Sequence, residues 1–391
     1  MNILMYSHDT YGLGHIRRTM ALAKNILREE HNIIILTGSP IAGRFDFPQG
    51  IDYIRIPGMI KQNNELYVPY SIKVKPRLAL NIRQNIIVAT ARTFRPSVFL
   101  VDKAPLGLKK EIVPALKWFR HHSPKTKVIL GLRDIMDNRE NTIQEWQRKD
   151  IYSVLGQYYS EIWVYGEQEL YDPIKEYDIP DYLTEKIRFT GYIPRQMPGD
   201  RKRPRLRRNL GLQPDEKLVL VTAGGGGDGA KVIVTYLSML ENMPLANIKS
   251  MIVTGPLLAE ESYDAFAARA HKVKARIMKF NRKMENAIAA ADCVVSMGGY
   301  NTMCEIISAG RPSLIVPRLA PREEQYIRAR IFASRGLLEF IPWDTVDSAG
   351  MREKILLLLG DSEKYQERLN NFKMTAFDVI NNRINAIGAT E

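Results

Sequence analysis

Short runs rich in Ile, Val and Leu alternate with longer segments of helical period along the whole chain, and few folds accommodate that pattern. Strands are expected at Asn2–Tyr6, Asn32–Leu36, Asp52–Ile56, Ser97–Val101, Lys127–Leu130, Glu161–Val164 and Ile187–Phe189. A second set follows at Leu218–Thr222, Lys249–Val253, Arg276–Lys279, Asp292–Ser296, Ser313–Val316 and Leu337–Phe340. Strands this apolar are covered on both faces, and strands separated by helices pair in parallel. The expected class is therefore α/β, with doubly wound sheets. At 391 residues the chain is long for one domain, so two Rossmann-like domains are expected. Between the halves, GYIPRQMPGDRKRPR (Gly191–Arg205) suits neither a helix nor a central strand. The expected layout is a first domain over 1–195, a basic linker over 196–208 and a second domain over 209–365. A helical segment over 366–391 would return to the first domain. Ligands of such folds bind at the carboxyl ends of the strands, so the cleft between the domains is the expected site.

The net charge of +13 is unevenly spread. Eleven Lys and Arg against Asp102 and Glu111 lie between Lys73 and Arg120, and RKRPRLRR (Arg201–Arg208) has no acid. Such clusters suit phosphate, nucleic acid or anionic headgroups, and equally a solvated face and a charged linker. Aromatic stacking partners for single-stranded nucleic acid are not interleaved there, which disfavours that partner. The two cysteines, Cys293 and Cys304, fall in an apolar strand and an apolar helix without metal-ligand spacing, as in a reduced, cytoplasmic protein. MNILMYSHDT reads as a buried strand rather than a leader, and no apolar window reaches the length of a membrane span.

Three glycine-rich turns follow strands. In DTYGLGHIRRT (Asp9–Thr19), Gly12 and Gly14 allow close backbone approach, half of a dinucleotide fingerprint without its third glycine. His15 then opens a helix, either as a cap or as a general base for a substrate hydroxyl. Asp102, ending a strand, would orient that base, bind substrate, or simply pair with Lys103 or Arg133. In TAGGGGDGAK (Thr222–Lys231), Gly226, Gly227, Asp228 and Gly229 lead into the next helix, and the missing G-K-S/T ending argues against a P-loop. In MGGYNTMCEIISAGRPSLIVPRLAPREEQYIRA (Met297–Ala329), a Gly-Gly turn precedes a helix expected to start at about Asn301–Thr302. The N–H groups of such a start suit an anion. Glu305 lies nearly one turn further on, and a later loop carries Glu323, Glu324 and Gln325, groups suited to sugar hydroxyls. Phosphate beside polyol points to a nucleotide-sugar. Phe280, Asn281 and Met284 in KFNRKMENA would wall a nucleobase, or, for Met284, pack in the core.

The stretch from Gly224 to about Gly336 resembles the donor-binding half of glycosyltransferase family 28, the MurG-like UDP-sugar transferases, with weaker similarity at Gly12–Arg18 and Gly191–Arg195. The resemblance implies the GT-B fold and a UDP-sugar donor, with no cofactor and no metal. Glu305 would then bind both ribose hydroxyls, and Gly299, Asn301, Thr302 and Met303 would present the helix start to the diphosphate. Gly227, Asp228 and Gly229 would close over the phosphates, Arg195 would approach them, and Phe280 and Asn281 would frame uracil. Glu324 and Gln325 would contact the sugar, and His15 falls on the family's N-terminal histidine, in the loop of Gly14. Two departures stand out: Gly227 replaces a common serine, and Glu324 a common glutamine. There is no Asp-x-Asp signature of metal-dependent transferases.

The expected activity is inverting transfer of a hexose or HexNAc from a UDP-sugar to a hydroxyl acceptor, lipid-linked or a cell-envelope glycan precursor. Alternatives are a UDP-sugar 2-epimerase of the same fold and a non-catalytic nucleotide-sugar-binding protein. VDKAPLGLKKEIVPALKWFRHH mixes Leu106, Leu108, Ile112, Val113, Leu116, Trp118 and Phe119 with lysines. It would rest on an anionic membrane surface, placing the protein on the cytoplasmic face, or half-bury as an ordinary helix.

Overall fold

Among the described residues, the apolar runs pair into two separate all-parallel sheets and one short antiparallel hairpin. The computed structural model describes residues 1–8, 14–61, 67–225 and 227–389. Its chain forms two units, Met1–Ile193 with Thr375–Glu391, and Pro194–Met374.

In unit 1 the seven strands run, edge to edge, Ile51–Arg55, Asn32–Thr37, Asn2–Ser7, Val98–Asp102, Lys127–Arg133, Glu161–Tyr165 and Ile187–Phe189. The order reverses beside the first strand, where Tyr6 lies opposite Val101. Unit 2 repeats the plan with six strands: Arg276–Met278, Ile248–Val253, Lys217–Thr222, Cys293–Ser296, Ser313–Ile315 and Glu339–Phe340. Its reversal falls between Lys217–Thr222 and Cys293–Ser296. Consecutive crossovers diverge at these two points, leaving the crevices where doubly wound folds bind ligands. The hairpin of Met59–Lys61 and Tyr67–Pro69 was not legible, since three-residue strands carry no measurable period.

Three expectations about the charged and helical segments change. RKRPRLRR is not a linker: Arg203–Asn209 is a helix of unit 2. Arg203 and Arg207 hold the two oxygens of Asp292 at 2.8 and 2.7 Å. Asp292 also accepts the Leu218 N–H at 2.7 Å, so the cluster's charge is partly spent on fixing the first strand of this sheet. The C-terminal segment is two helices, Ser362–Asn371 in unit 2 and Ala376–Gly388 in unit 1. The second begins where Thr375 donates to the Thr190 carbonyl at 3.0 Å. A side chain at Gly191 would lie 2.2 Å from the Thr375 hydroxyl, so the glycine makes that closure fit.

The apolar residues around Trp118 are inside. Leu108, Ile112, Leu116 and Phe119 are at most 2% exposed; Ile112, Leu116 and Phe119 join the core of Leu4, Phe99, Val101 and Leu130, and Leu108 packs in a smaller cluster with Met59 and Ala79. Each such side chain contributes about 1.5–3 kcal/mol by leaving water. They are committed to the fold, while Lys117 and Arg120 are exposed and Val113 and Trp118 are half-buried. No helix among the described residues is long and apolar enough to cross a membrane.

Candidate functional site

Unit 1 places a buried charge cluster at its strand reversal. The helix Gly14–Ile26 follows the first strand, and His15 and Arg18, three residues apart, share one face of it. Asp102 ends the strand across the reversal. Arg18 grips this carboxylate with two bonds of 2.8 Å, from Nε to Oδ1 and from Nη2 to Oδ2. His15 Nδ1 hydrogen-bonds Asp102 Oδ2. Asp102 is thus gripped by Arg18 and placed to orient His15. Its carboxyl is pushed up by burial, but Arg18 and His15 pull harder and hold it well below the usual carboxylate range.

With Nδ1 engaged, Nε2 is the nitrogen left to meet a substrate, and the His15 side chain keeps 16% of its surface exposed. Burial, backed by the charges of Arg18 and Lys103, outweighs Asp102 and lowers the imidazole to about 4. The ring is thus neutral at pH 7, the form a base needs. Beside it stands His8, its ring centroid 5.7 Å from that of His15 and edge-on to it. Burial first, then His15, holds His8 well below its ordinary value. Tyr6 joins His8 at 3.3 Å and donates to Glu111 at 2.5 Å, and Glu111 is gripped by the buried Arg83 at 2.5 and 2.6 Å. Sequence reasoning missed Arg18, His8 and this second network. The His15–Arg18 spacing was a usable signal; Tyr6, Arg83 and Glu111 meet only through the tertiary fold.

Unit 2 puts two glycine turns at its reversal. After Cys293–Ser296, Gly298 takes φ +76°, and a Cβ there would lie 2.7 Å from Ile315. Glycine is required on both counts. Gly299 caps the helix Tyr300–Ser308, and a Cβ on it would meet nothing within 4 Å, so its backbone borders open space. Arg328, fully buried, donates to the Gly298 carbonyl at 3.1 Å and lies over the Tyr300 ring, fixing the turn from behind. The helix starts a residue earlier than expected, and this changes one assignment. The Met303 N–H bonds the Gly299 carbonyl at 2.9 Å and its side chain is 1% exposed, so Met303 belongs to the helix and core. The first turn, through Asn301 and Thr302, is what a capped start turns toward an anion.

Arg195 lies along this helix. Its N–H donates to Ser308 Oγ at 2.8 Å, and its Nη2 reaches Asn301 Oδ1 at 2.6 Å, bringing a guanidinium to the helix start. Glu305 is buried on the same helix. After Lys217–Thr222, the second glycine turn leads to the helix Ala230–Asn242, capped by Gly229. A side chain at Gly229 would strike Ala223 at 2.2 Å, so this glycine lets the loop pack on its own strand. Gly227 and Asp228 are exposed on that loop; Gly226, like Gly12, lies outside the described residues.

Phe280 presents an exposed ring, 43% of its surface, with Asn281 beside it, while Met284 is buried in the helix Met284–Ala290. Of the expected wall residues, the Phe280 ring is open to solvent, whereas Met284 is 9% exposed and packs in the core. Glu324 and Gln325 are buried at the start of the helix Glu324–Ser334, not on a loop. Arg318, unremarked in the sequence, reaches Glu324 Oε1 at 2.9 Å and Asp228 Oδ2 at 2.7 Å.

Two Rossmann-like, doubly wound units, each with its polar site at the strand reversal, define the GT-B class. Solved structures of that class align over nearly the whole chain. Acinetobacter baumannii MurG matches at a TM-score of 0.61 and 14% identity, covering 98% of this chain and 99% of that one. UDP-GlcNAc 2-epimerase from Neisseria meningitidis, bound to UDP-GlcNAc, matches at 0.62 and 14%, covering 97% and 98%. Residues 218–384 match the glycosyltransferase family 28 C-terminal domain. A relative from Clostridioides difficile (strain 630) is 26% identical over 195 residues. It is a UDP-N-acetylglucosamine–N-acetylmuramyl-(pentapeptide) pyrophosphoryl-undecaprenol N-acetylglucosamine transferase. The match covers 50% of this chain and 47% of that protein, so the chain spans about half the length of this curated relative.

Proposed function

We propose that this chain transfers a sugar from a UDP-sugar to a hydroxyl acceptor, with inversion at the anomeric carbon. The observation that carries the reading is the Gly298–Gly299 turn with Arg195 stretched along the helix behind it, its guanidinium 2.6 Å from Asn301. As the glycosidic bond breaks, negative charge develops on the departing UDP. A helix start and a fixed guanidinium stabilise that charge without reorganising. Glu305 takes the ribose hydroxyls, the Gly227–Gly229 loop the phosphates and Phe280 with Asn281 the base. In unit 1, His15 Nε2 removes the acceptor's proton while Asp102 steadies the imidazolium that forms.

Incubation with a panel of UDP-sugars, following UDP release and sugar epimerisation together, tests this. UDP release that requires an added acceptor extract is expected; epimerisation without acceptor would replace the transferase by an epimerase. Glu305→Ala is expected to weaken UDP binding at least about tenfold, on the scale of losing hydrogen bonds to a carboxylate. Undiminished affinity by calorimetry would remove Glu305 from the ribose.

The acceptor is lipid-linked in this reading, and unit 1 is the side that meets an anionic membrane. The exposed large apolar residues Tyr70, Ile72 and Leu78, 53, 39 and 50% exposed, cluster with exposed Lys73, Lys75 and Arg77. Apolar anchors among cations suit an anionic interface better than the buried residues around Trp118. Flotation with vesicles containing anionic lipid is expected, and Ile72→Asp/Leu78→Asp is expected to abolish it. Equal flotation of that variant would move the contact elsewhere.

A further inference from the structure

Arg318 bonds groups from both the exposed glycine loop and the start of the helix Glu324–Ser334. Its Nη2 reaches Glu324 Oε1 at 2.9 Å and its Nε lies 2.7 Å from Asp228 Oδ2. Its Nη1 donates to the carbonyls of Ala320 at 3.2 Å and Arg322 at 3.1 Å, and its own N–H donates to Gln325 Oε1 at 3.2 Å. One residue thus fixes three groups: the two expected to meet the sugar and the acid on the exposed glycine loop.

The consequences differ for each partner. Glu324 is 4% exposed, and its second oxygen, Oε2, is buried without a hydrogen-bond partner. A buried carboxylate oxygen lacking a donor is costly, so a ligand that supplies an O–H there recovers that cost. Gln325 spends its carbonyl oxygen on the Arg318 N–H, which leaves its NH₂ as the end offered to a ligand. The pair is therefore an acceptor beside a donor. A Gln-Gln pair could present either end at both positions; this pair has one polarity.

We propose that Arg318 is the specificity-determining positioning residue of the donor site. It locks Glu324 as acceptor and Gln325 as donor, so that the site selects a neutral sugar with two neighbouring free hydroxyls, one giving and one receiving a hydrogen bond. Through Asp228 it ties that selection to the glycine loop. A sugar carboxylate at this position meets Glu324 as a like charge and is rejected. This rests on the donor reading above, and the test separates the two.

The experiment is calorimetry with UDP, UDP-glucose, UDP-galactose, UDP-N-acetylglucosamine and UDP-glucuronate, on the full chain and on Arg318→Ala, Arg318→Lys, Glu324→Ala and Arg318→Ala/Glu324→Ala. Binding of UDP by each variant reports that unit 2 is folded. The readout is the ratio of the Kd for UDP to that for the preferred UDP-sugar. In the unaltered protein this ratio is expected to reach at least about 10, the scale of a charged hydrogen bond, with UDP-glucuronate binding no better than UDP. Arg318→Ala is expected to cut the ratio about tenfold. Arg318→Lys does the same, because one ammonium cannot span both carboxylates. The double variant loses no more than about twofold beyond the worse single, as coupled partners do. A ratio untouched by either Arg318 substitution, or singles whose losses multiply in the double, would overturn the proposal while leaving UDP binding intact. Absence of UDP binding by the unaltered chain would overturn the donor reading itself.

Discussion

Replacing His15 by alanine is expected to lower turnover by about 10²–10⁴-fold, the scale of a positioned general base. UDP affinity should stay nearly unchanged, since the residues proposed to hold the nucleotide are those of unit 2. The lower half of that range is favoured by the residue's own environment. An imidazole lowered to about 4 is always in its basic form at pH 7 but is a weak base, so it gains in availability what it loses in driving force. The pH profile carries the sharper signature. The neutral ring is the active form, so kcat/KM should hold level as pH falls through 6.5 and decline only near 4. Stability runs in the same direction. The unfolded chain protonates His15 near its ordinary 6.5, while the folded chain resists protonation until about 4. Stability is fully present above 6.5 and is lost progressively as pH falls from there to 4. An acid limb near 6.5 in kcat/KM, with the Ala variant as active as the parent, would take the base assignment away from His15.

That pair shows where sequence reading succeeds and where it stops. The strand-and-helix alternation fixes which loops end at each strand reversal, so Gly14–His15 with Asp102 in unit 1, and Gly227–Gly229 with Gly298–Asn301 in unit 2, could be grouped within their own units before any coordinates. Parallel pairing needs only local signals: apolar runs, glycine turns and helical period. What those signals omit is the second partner of each charge. Asp102 was read as orienting His15, binding acceptor or pairing with Lys103 or Arg133, and its grip by Arg18 was missed because nothing local says that Arg18 turns inward. RKRPRLRR looked like a solvated linker because Asp292, which neutralises two of its arginines, lies far along the chain. Around Trp118, lysines interleaved with apolar residues left a membrane-resting helix and a half-buried one both open; Ile112, Leu116 and Phe119 are core, while Lys117 and Arg120 are exposed. Arg318 gave no signal at all, since its partners Asp228 and Glu324 belong to different elements, a glycine loop and a helix start.

Removing Glu111 is expected to destabilise unit 1 by about 3–5 kcal/mol, the cost of leaving a buried charge without its partner. Arg83 is fully buried, and Glu111 receives two of its bonds, at 2.5 and 2.6 Å, plus the Tyr6 hydroxyl at 2.5 Å. Burial pushes the Tyr6 hydroxyl well above its ordinary value, so it stays protonated and donates throughout the working range. In Glu111→Ala the guanidinium keeps the Pro57 carbonyl, at 2.6 Å, and the neighbouring Tyr6 oxygen but loses its carboxylate, and Tyr6 loses that carboxylate too. Three of the four tryptophans, Trp118, Trp146 and Trp163, lie in unit 1, so a Trp343→Phe background makes fluorescence-detected urea unfolding report that unit alone. In this background Glu111→Ala should shift the transition to much lower urea. Tyr6→Phe/Arg83→Met/Glu111→Leu, which removes every member of the network for apolar groups of similar volume, should recover most of the loss. Such a rescue would also isolate what the network does for chemistry. Tyr6 is the group that holds His8 against the His15 ring, so a triple variant that is stable but slow assigns the network to the site. One that is stable and fully active leaves it with stability alone. A single Glu111→Ala that costs less than about 1 kcal/mol, or a triple variant less stable than the single, would contradict the buried-pair account.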